Sequence, residues 1–250
     1  MSQAIDTRVS IVAAAYRYWR EQASIRGTFS ATKALAGAVW EFLRDSTPSR
    51  LRQRFGDADY DWDFRVNTTS GAVGWRERLL GNFYSAYQPT EPAAFHEMMG
   101  ALLAQRDLDL SEFTFIDLGS GKGRTLLMAS EYPFRRILGI ELLPALNQIA
   151  CENIQKYKSD SQKCFDLESI CDDATRFPIP EGPALIYMFN PFPEVPVRSV
   201  VRNIENALSA NWRPIYVLYH NPQLEHLLAA SSSLRKISAT DQYSIFAAVR

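Results

Sequence analysis

The stretch "FTFIDLGSGKGRTLLMAS", residues 113–130, is the feature that most constrains the fold of this chain. A short, mostly apolar run ends at Leu118, which predicts a buried strand. Three glycines then alternate with Ser120 and Lys122, and an apolar stretch follows. Glycine permits a tight turn and removes the Cβ that would hold a ligand away from the backbone. The pattern predicts a strand, turn and helix of a doubly wound sheet, with a ligand at the turn.

Apolar runs and helical stretches alternate from Thr90 to the end of the chain. Continuous apolar runs such as "ALIYMF" favour a sheet covered on both faces, and strand-helix-strand links require parallel neighbours. The last two strands are joined by only a few residues, so they should be antiparallel. The predicted strands are 113–118, 136–141, 165–171, 184–190, 214–220, 234–238 and 243–249. We therefore expect an α/β fold: a Rossmann-like, doubly wound, seven-stranded sheet, mostly parallel with an antiparallel last strand.

The N-terminal third of the chain has a different pattern. Apolar residues at helical spacing predict helices at residues 8–23 and 30–45, separated by Gly27. A stretch rich in Pro, Gly, Asp and aromatic residues follows without a clear period, as is typical of a long connection. We expect an α-helical extension and connecting loop over residues 1–84, and a ligand-binding sheet domain over residues 85–250.

The spacing of the three glycines excludes two common nucleotide-binding turns. A dinucleotide turn has the pattern GxGxxG, but here Arg124 occupies the position of the last glycine. A triphosphate-binding loop has GxxxxGK followed by Ser or Thr. Here Ile116 stands at the first glycine position and Gly123 follows Lys122. The remaining pattern is Asp-x-Gly-x-Gly-x-Gly.

This pattern resembles that of the class I, seven-stranded S-adenosylmethionine-dependent methyltransferases, over about residues 85–250. In that family the leading acidic residue contacts the amino end of the methionine moiety, so the resemblance implies this role for Asp117. It implies that the turn passes under the cofactor. The turn residues that match are Gly119, Ser120, Gly121 and Gly123.

Two further positions match the cofactor half of the family. The second strand ends in "ILGIEL", which places Glu141 where an acidic side chain accepts hydrogen bonds from both ribose hydroxyls. The third ends in "ICDDATRF", and the family has an acidic residue before a small one here, next to the adenine. Asp173 and Ala174 fit this pattern. Asp172 is a competing register, and either aspartate could instead cap the following turn.

The fourth predicted strand ends in "YMFNPF", beside the expected methyl position. Asn190, Pro191 and Phe192 resemble the Asn-Pro-Pro-aromatic motif of methyltransferases that act on amino or amide nitrogens. There the Asn accepts hydrogen bonds from the target nitrogen and the aromatic ring packs on it. This sequence departs from the motif, since Phe192 stands at the second proline. The alternative is a strand-ending turn with Phe192 in the core.

The segment "YSAYQPTEPAAF" precedes the first helix of the sheet domain. A tyrosine followed by Pro-Thr resembles the segment ahead of the glycine turn in seven-stranded protein lysine methyltransferases, where this loop folds over the cofactor. The resemblance implies that Tyr87 and Thr90 close the site, with Gln88 nearby. Alternatively, Thr90 caps the helix and Pro92 lies in its first turn.

Composition sets broader expectations. The chain has 27 basic and 28 acidic residues, so it has no overall basic field, which argues against nucleic acid as a partner. The apolar run from Ile11 is too short to cross a bilayer, so no membrane partner is expected. Three cysteines without CxxC spacing indicate a reduced, cytoplasmic protein, and no metal-ligand spacing is present. Among the histidines, His220 at the end of the fifth strand could face the cleft.

The sequence thus predicts a cytoplasmic methyltransferase with S-adenosylmethionine as cofactor. The acceptor is expected to be a nitrogen, with a protein lysine amine as one form of that hypothesis. Two alternatives stay open. One is a small-molecule methyltransferase of the same fold, and the other is a protein that binds S-adenosylmethionine without turnover.

Overall fold

A computed structural model of the chain describes residues 11–45, 58–69, 89–189 and 193–249. In these residues the predicted alternation of strands and helices is present. The helices are α1 (Ile11–Arg26), α2 (Thr28–Asp45), α3 (Ala58–Phe64), α4 (Pro92–Gln105), α5 (Arg124–Ala129), α6 (Pro144–Lys156), α7 (Glu194–Ala210) and α8 (Glu225–Ala229). The strands are β1 (Thr114–Leu118), β2 (Arg136–Glu141), β3 (Leu167–Cys171), β4 (Ala184–Phe189), β5 (Ile215–His220), β6 (Leu234–Ala239) and β7 (Tyr243–Ala248).

All seven strands form one sheet in the order β3-β2-β1-β4-β5-β7-β6. Strands β1 to β5 are parallel to their neighbours, while β7 is antiparallel to both β5 and β6. The order reverses between β1 and β4, and ligands bind at the carboxyl ends of the strands at such a point. The predicted fold class is confirmed, including the antiparallel last strand.

The strands carry a hydrophobic core on each face of the sheet, because alternate residues of a strand point to opposite faces. In β1, Phe115 belongs to the cluster that contains α4 and α5, whereas Ile116 belongs to the cluster that contains α7. The buried stripe of α7 has helical spacing and comprises Val197, Val200, Val201, Ile204 and Leu208. Covered faces explain why strands such as β4 read as continuous apolar runs.

The first two helices are shifted from their predicted bounds by a few residues. The chain between them turns at Gly27, whose φ of 80° is accessible to glycine at little cost. Helices α1 and α2 pack on each other, and the Trp19 indole N–H donates to the Thr32 hydroxyl at 3.1 Å. Tyr16 and Trp40 on this pair are exposed. Among the helices described, none is long and apolar enough to cross a membrane.

Candidate active site

The glycine turn between β1 and α5 forms the floor of the candidate site. Its glycines all have positive φ, with 87° at Gly119, 55° at Gly121 and 81° at Gly123. The backbone N–H groups of Gly119 and Ser120 donate to the Ile140 carbonyl at 2.9 and 3.1 Å. The turn is therefore tied to the carboxyl end of β2, the neighbouring strand.

Close packing against β2 requires a further glycine, Gly139, which sequence reasoning missed. A Cβ at this position would lie 2.7 Å from the Ser120 Oγ and 2.6 Å from a methyl group of Leu126. Both distances are shorter than real Cβ contacts, so a larger residue here would force Ser120 and Leu126 to shift. The available signal was a glycine in the interior of an apolar strand, which often marks a close backbone approach.

Glu141 joins the glycine turn to the end of β2. One carboxylate oxygen accepts from the Gly121 N–H and the other from the Leu143 N–H, both at 2.8 Å. Burial raises the pKa of Glu141, and these amide donors oppose the shift. A carboxylate oxygen has two lone-pair sites, so each oxygen retains capacity for a second donor. Glu141 can thus hold the turn and accept two hydroxyl groups of a ligand.

Asp117 is buried near the end of β1, where the charge of Glu141 acts on its carboxylate. Burial and the Glu141 charge together raise the pKa of Asp117 to about 8, while a hydrogen bond with Thr125 opposes the shift. Two buried carboxylates at one turn favour a ligand that carries positive charge, because such a charge stabilises the ionised form of Asp117.

Beyond β3, the side chain of Asp173 caps a turn. Its Oδ1 accepts from the Thr175 N–H at 2.9 Å and from the Thr175 hydroxyl at 2.7 Å. Asp172 accepts from the N–H of Asp173 at 2.7 Å. Asp172 is exposed and Ala174 is buried. Asp173 therefore caps the turn, as the alternative interpretation of the sequence predicted. The contact of Asp173 with adenine stays a prediction.

Thr90 lies in a line of hydrogen-bonded side chains instead of capping α4. The N-cap of α4 is Glu91, and Pro92 begins the helix. The buried Thr90 hydroxyl shares a hydrogen bond of 2.8 Å with the Tyr187 hydroxyl, and the Thr125 hydroxyl donates to it at 3.5 Å. Local sequence alone did not reveal this line, since Thr90 and Tyr187 are far apart along the chain.

The same line continues to His220 at the carboxyl end of β5. The Tyr187 hydroxyl and the His220 Nδ1 are 2.9 Å apart. The imidazole also stacks on the Phe189 ring, with centroids 4.0 Å apart and an interplanar angle of 15°. Burial lowers the pKa of His220 to about 4, so the ring is neutral at neutral pH. With its pKa this low, the imidazole is a weak base and acts here as a hydrogen-bond partner of Tyr187.

Three of the predicted site residues, Tyr87, Asn190 and Phe192, lie outside the described residues. The structure describes their neighbours Phe189 and Pro193, which end β4 and precede α7. Of the nine other predicted site residues, eight lie at the glycine turn or at or just beyond the carboxyl ends of β1, β2 and β3. The ninth, Thr90, precedes α4 and contacts Tyr187 and Thr125. The contacts of these nine residues with a ligand stay predictions.

Sequence reasoning used Lys122 and Arg124 only to exclude other motifs, yet both are buried. Their side chains contact residues 58–69, which include α3. Lys122 Nζ donates to the Thr69 carbonyl at 2.6 Å, and Arg124 Nε donates to the Thr68 hydroxyl at 2.6 Å. No local pattern could have identified these partners, since they lie more than fifty residues earlier in the sequence. In the described parts of the chain, no group of three or more His, Cys, Asp or Glu residues could hold a metal ion.

The strand order and the glycine turn together define the fold class. A seven-stranded sheet with the order found here, an antiparallel β7 and a glycine turn after β1 is the class I methyltransferase fold. The fold that the sequence resemblance implied is confirmed. No model of a known protein family matches the sequence, and no curated protein matches it either.

Several solved structures similar to this chain are described as methyltransferases. One is an RNA methyltransferase from Salinibacter ruber in complex with S-adenosyl-L-homocysteine (18% identity, 64% of this chain, 92% of that chain, TM-score 0.40). A second is an rRNA methyltransferase from Streptomyces viridochromogenes (14% identity, 65% and 86%, TM-score 0.46). A third is a predicted N6-adenine-specific DNA methylase from Listeria monocytogenes (13% identity, 66% and 52%, TM-score 0.46).

These comparisons correct one expectation. The argument against nucleic acid as a partner is wrong, since the similar structures include proteins described as RNA and DNA methyltransferases. The net charge of a chain averages over all its residues and does not report how charge is distributed over the surface.

Proposed function

We propose that this chain is a methyltransferase that uses S-adenosylmethionine. The observation that carries the proposal is the position of Glu141, whose carboxylate is bonded to the glycine turn and lies beside the buried Asp117. Few ligands combine a vicinal diol with two positive charges, and S-adenosylmethionine does so through its ribose, its sulfonium and its ammonium group. These two carboxylates therefore fit this cofactor.

Particular residues would hold each part of the cofactor. Glu141 would accept hydrogen bonds from the ribose hydroxyls, since each of its oxygens has one further lone-pair site. Asp117 would pair with the ammonium group, and Asp173 with Ala174 would border the adenine. The turn residues Gly119 to Gly123 would lie under the methionine moiety. When bound, S-adenosylmethionine supplies a methyl group on a sulfonium, which is transferred to a nucleophile.

For the acceptor we infer a nitrogen atom, with a protein lysine amine as the finer form of this proposal. Support comes from Asn190 and Phe192 directly after β4, and from Tyr87 ahead of α4. A charged ammonium has no lone pair for attack, so an amine must lose a proton before or during transfer. Solvent can take this proton, since the lowered pKa of His220 makes its imidazole a weak base.

Cofactor binding is tested first, by calorimetric titration of S-adenosylmethionine and S-adenosylhomocysteine into the wild type and Glu141→Ala. Loss of both ribose hydrogen bonds, which are charge-assisted, should cost about 2 kcal/mol or more. The matched control is Glu168→Gln, because Glu168 is an exposed carboxylate of β3 that pairs with Arg136. Its binding should equal that of the wild type. Absence of binding to the wild type would exclude the proposed function.

The acceptor is tested next, by transfer of a labelled methyl group to protein, RNA and small-molecule amine pools. Incorporation into a nitrogen that resists mild base would support the acceptor assignment. Tight cofactor binding without transfer to any pool, together with an unchanged cofactor affinity in Asn190→Ala, would favour the alternative of a non-catalytic S-adenosylmethionine-binding protein. Incorporation at oxygen or carbon would contradict the nitrogen assignment.

A further inference from the structure

The two cations of the glycine turn are held by a segment from the N-terminal part of the chain, residues 58–69, which we call the 58–69 segment. Arg124 Nε donates to the Thr68 hydroxyl at 2.6 Å, and its Nη2 lies 3.5 Å from the Asp61 carboxylate. The Arg124 guanidinium also lies over the ring of Tyr60, 4.9 Å from its centroid. The Arg124 side chain is 1% exposed, so these contacts are made away from water.

Lys122 makes a second attachment from the same turn. Its Nζ donates to the Thr69 carbonyl at 2.6 Å and to the Asn67 Oδ1 at 3.0 Å. The residue is fully buried. Burial lowers the pKa of Lys122 to about 8, and the Asp61 charge opposes the shift. Lys122 and Arg124 flank Gly123, so the segment is attached on both sides of the last glycine of the turn.

Asn153 of α6 completes the arrangement from a third element. Its Oδ1 accepts from the Asn67 N–H at 2.8 Å, and its Nδ2 donates to the Asn67 carbonyl at 2.9 Å. The same Nδ2 donates to the Lys122 carbonyl at 2.9 Å. One buried amide therefore joins the 58–69 segment, the glycine turn and α6.

The 58–69 segment is itself ordered around Asp61. The carboxylate accepts from the N–H groups of Thr68 and Thr69, both at 2.8 Å, and from the Thr68 hydroxyl. These bonds close a short loop after α3. The oxygen atoms of that loop contact the side chains of Lys122 and Arg124. The loop therefore reaches the turn with its acceptors already oriented.

Apolar contacts could attach the segment equally well, since a buried ion pair is often no more stabilising than packed hydrophobic residues. Buried charged side chains, unlike apolar ones, specify one geometry. Each of them loses its hydrogen bonds unless its partners lie in fixed positions. The turn needs such a constraint, since glycine has the largest conformational freedom of any residue. The contacts at Lys122 and Arg124 provide it at the place where the cofactor is proposed to bind.

We propose that the 58–69 segment is a positioning element of the cofactor site. Through Asp61, Asn67 and Thr68 it holds the glycine turn in the conformation that receives S-adenosylmethionine. The inference rests on the proposed function and adds that cofactor affinity depends on residues more than fifty positions before the turn. Asp61 and Thr68 act through Arg124 and are positioning residues.

The test compares cofactor affinity with stability in two variants of the segment, Asp61→Asn and Thr68→Val. Both change the partners of Arg124 and leave the turn sequence intact. S-adenosylhomocysteine is titrated into each full-length variant well below its melting temperature. We expect the dissociation constant to rise about tenfold or more in each, the effect of losing one net hydrogen bond or ion pair at the turn.

The matched control is Ile215→Val, a core change at the amino end of β5. The glycine turn lies at the opposite, carboxyl ends of the strands. Ile215→Val should lower the melting temperature and leave the dissociation constant unchanged, which separates positioning from general stability. Arg124→Lys, which keeps the charge but loses the forked geometry, should fall between the wild type and Thr68→Val. If Asp61→Asn does not fold, the more conservative Thr68→Val decides the matter.

The outcomes distinguish the two proposals. If the wild type binds no cofactor, the proposed function fails. If the wild type binds and Thr68→Val binds equally well, or loses affinity only in proportion to Ile215→Val, the positioning role is overturned.

Discussion

The carboxyl ends of β1 and β2 differ in construction from those of β4 and β5. At β1 and β2 backbone groups of the turn make the contacts with the neighbouring strand, since the N–H groups of Gly119 and Ser120 donate to the Ile140 carbonyl and that of Gly121 donates to the Glu141 carboxylate. At β4 and β5 side chains make the contacts, with His220 stacked on Phe189. A backbone-defined region accepts few substitutions at its glycines, whereas a side-chain-defined region can change its chemistry with the fold intact.

The largest effect is expected from adding one methyl group to the backbone-defined region. Gly139→Ala would place a Cβ 2.8 Å from the Ser120 Cβ, which is fixed to the backbone, so the turn must move. Overpacking of this kind costs about 1 to 3 kcal/mol, and we expect cofactor binding to be lost with it. Thermal unfolding measures the loss of stability, and calorimetry measures the loss of cofactor binding.

Gly100→Ala is the matched control for that change. A Cβ at Gly100 meets nothing within 4 Å, and the residue lies in α4. Alanine in a helix is about 1 kcal/mol more favourable than glycine. The melting temperature should therefore rise with cofactor affinity unchanged. Equal behaviour of the two variants would show that Gly139 has no special role at the turn.

A second prediction concerns pH. Asp117 has a pKa raised to about 8, and an ammonium group of a bound cofactor would favour its ionised form. Affinity for S-adenosylhomocysteine should therefore rise between pH 6 and 8, by at most about tenfold per unit. In Asp117→Asn the affinity should be weaker and nearly independent of pH. Titrations at several pH values check this.

Stability should depend on Asp117 with the opposite sign. Its pKa is raised from 3.8 to about 8 on folding, so proton binding stabilises the native state fully below pH 3.8. That contribution is lost as pH rises towards 8, by at most about 1.4 kcal/mol per pH unit. Asp117→Asn should remove this part of the decline in melting temperature. An unchanged pH profile in the variant would mean that Asp117 ionises normally.

The side-chain-defined region is probed by Tyr187→Phe, for which we expect an intermediate effect. The change removes the hydroxyl between Thr90 and His220, and leaving buried partners unsatisfied costs about 1 to 3 kcal/mol. Methyl transfer should fall while the cofactor dissociation constant stays within about twofold. Labelled-methyl assays and calorimetry separate the two.

Tyr219→Phe serves as the comparison, since Tyr219 lies in the core cluster on the other face of the sheet. Its hydroxyl accepts from the Leu224 N–H at 3.3 Å. It should lower stability and leave transfer per folded molecule unchanged. A loss of cofactor affinity in Tyr187→Phe alone would mean that the two regions are not independent.

The smallest effect is expected at the amino ends of the strands, away from both regions. Arg136 begins β2 and its guanidinium lies 2.5 Å from the exposed Glu168 carboxylate. Exposed ion pairs contribute about 0 to 1 kcal/mol, so Arg136→Gln should shift the melting temperature slightly and leave binding and transfer unchanged. A large loss of affinity would show that the amino ends of the strands are coupled to the site.

The sequence by itself determined the sheet and the glycine turn. Strand and helix positions follow from apolar periods, and the turn follows from three alternating glycines. These are short-range signals, which a single sequence carries in adjacent residues. The roles of Asp117, Glu141 and Asp173, and the boundary after residue 84, stay predictions.

Only the tertiary structure decided which distant groups meet. It brings Asp61 and Thr68 to Arg124, Gly139 to Ser120, and Thr90 to Tyr187. The physical reason is that a buried charge or hydroxyl must find a partner, but no local period specifies which of many polar residues that partner is. Packing of separate elements makes that choice, and here it joins the N-terminal part of the chain to the glycine turn.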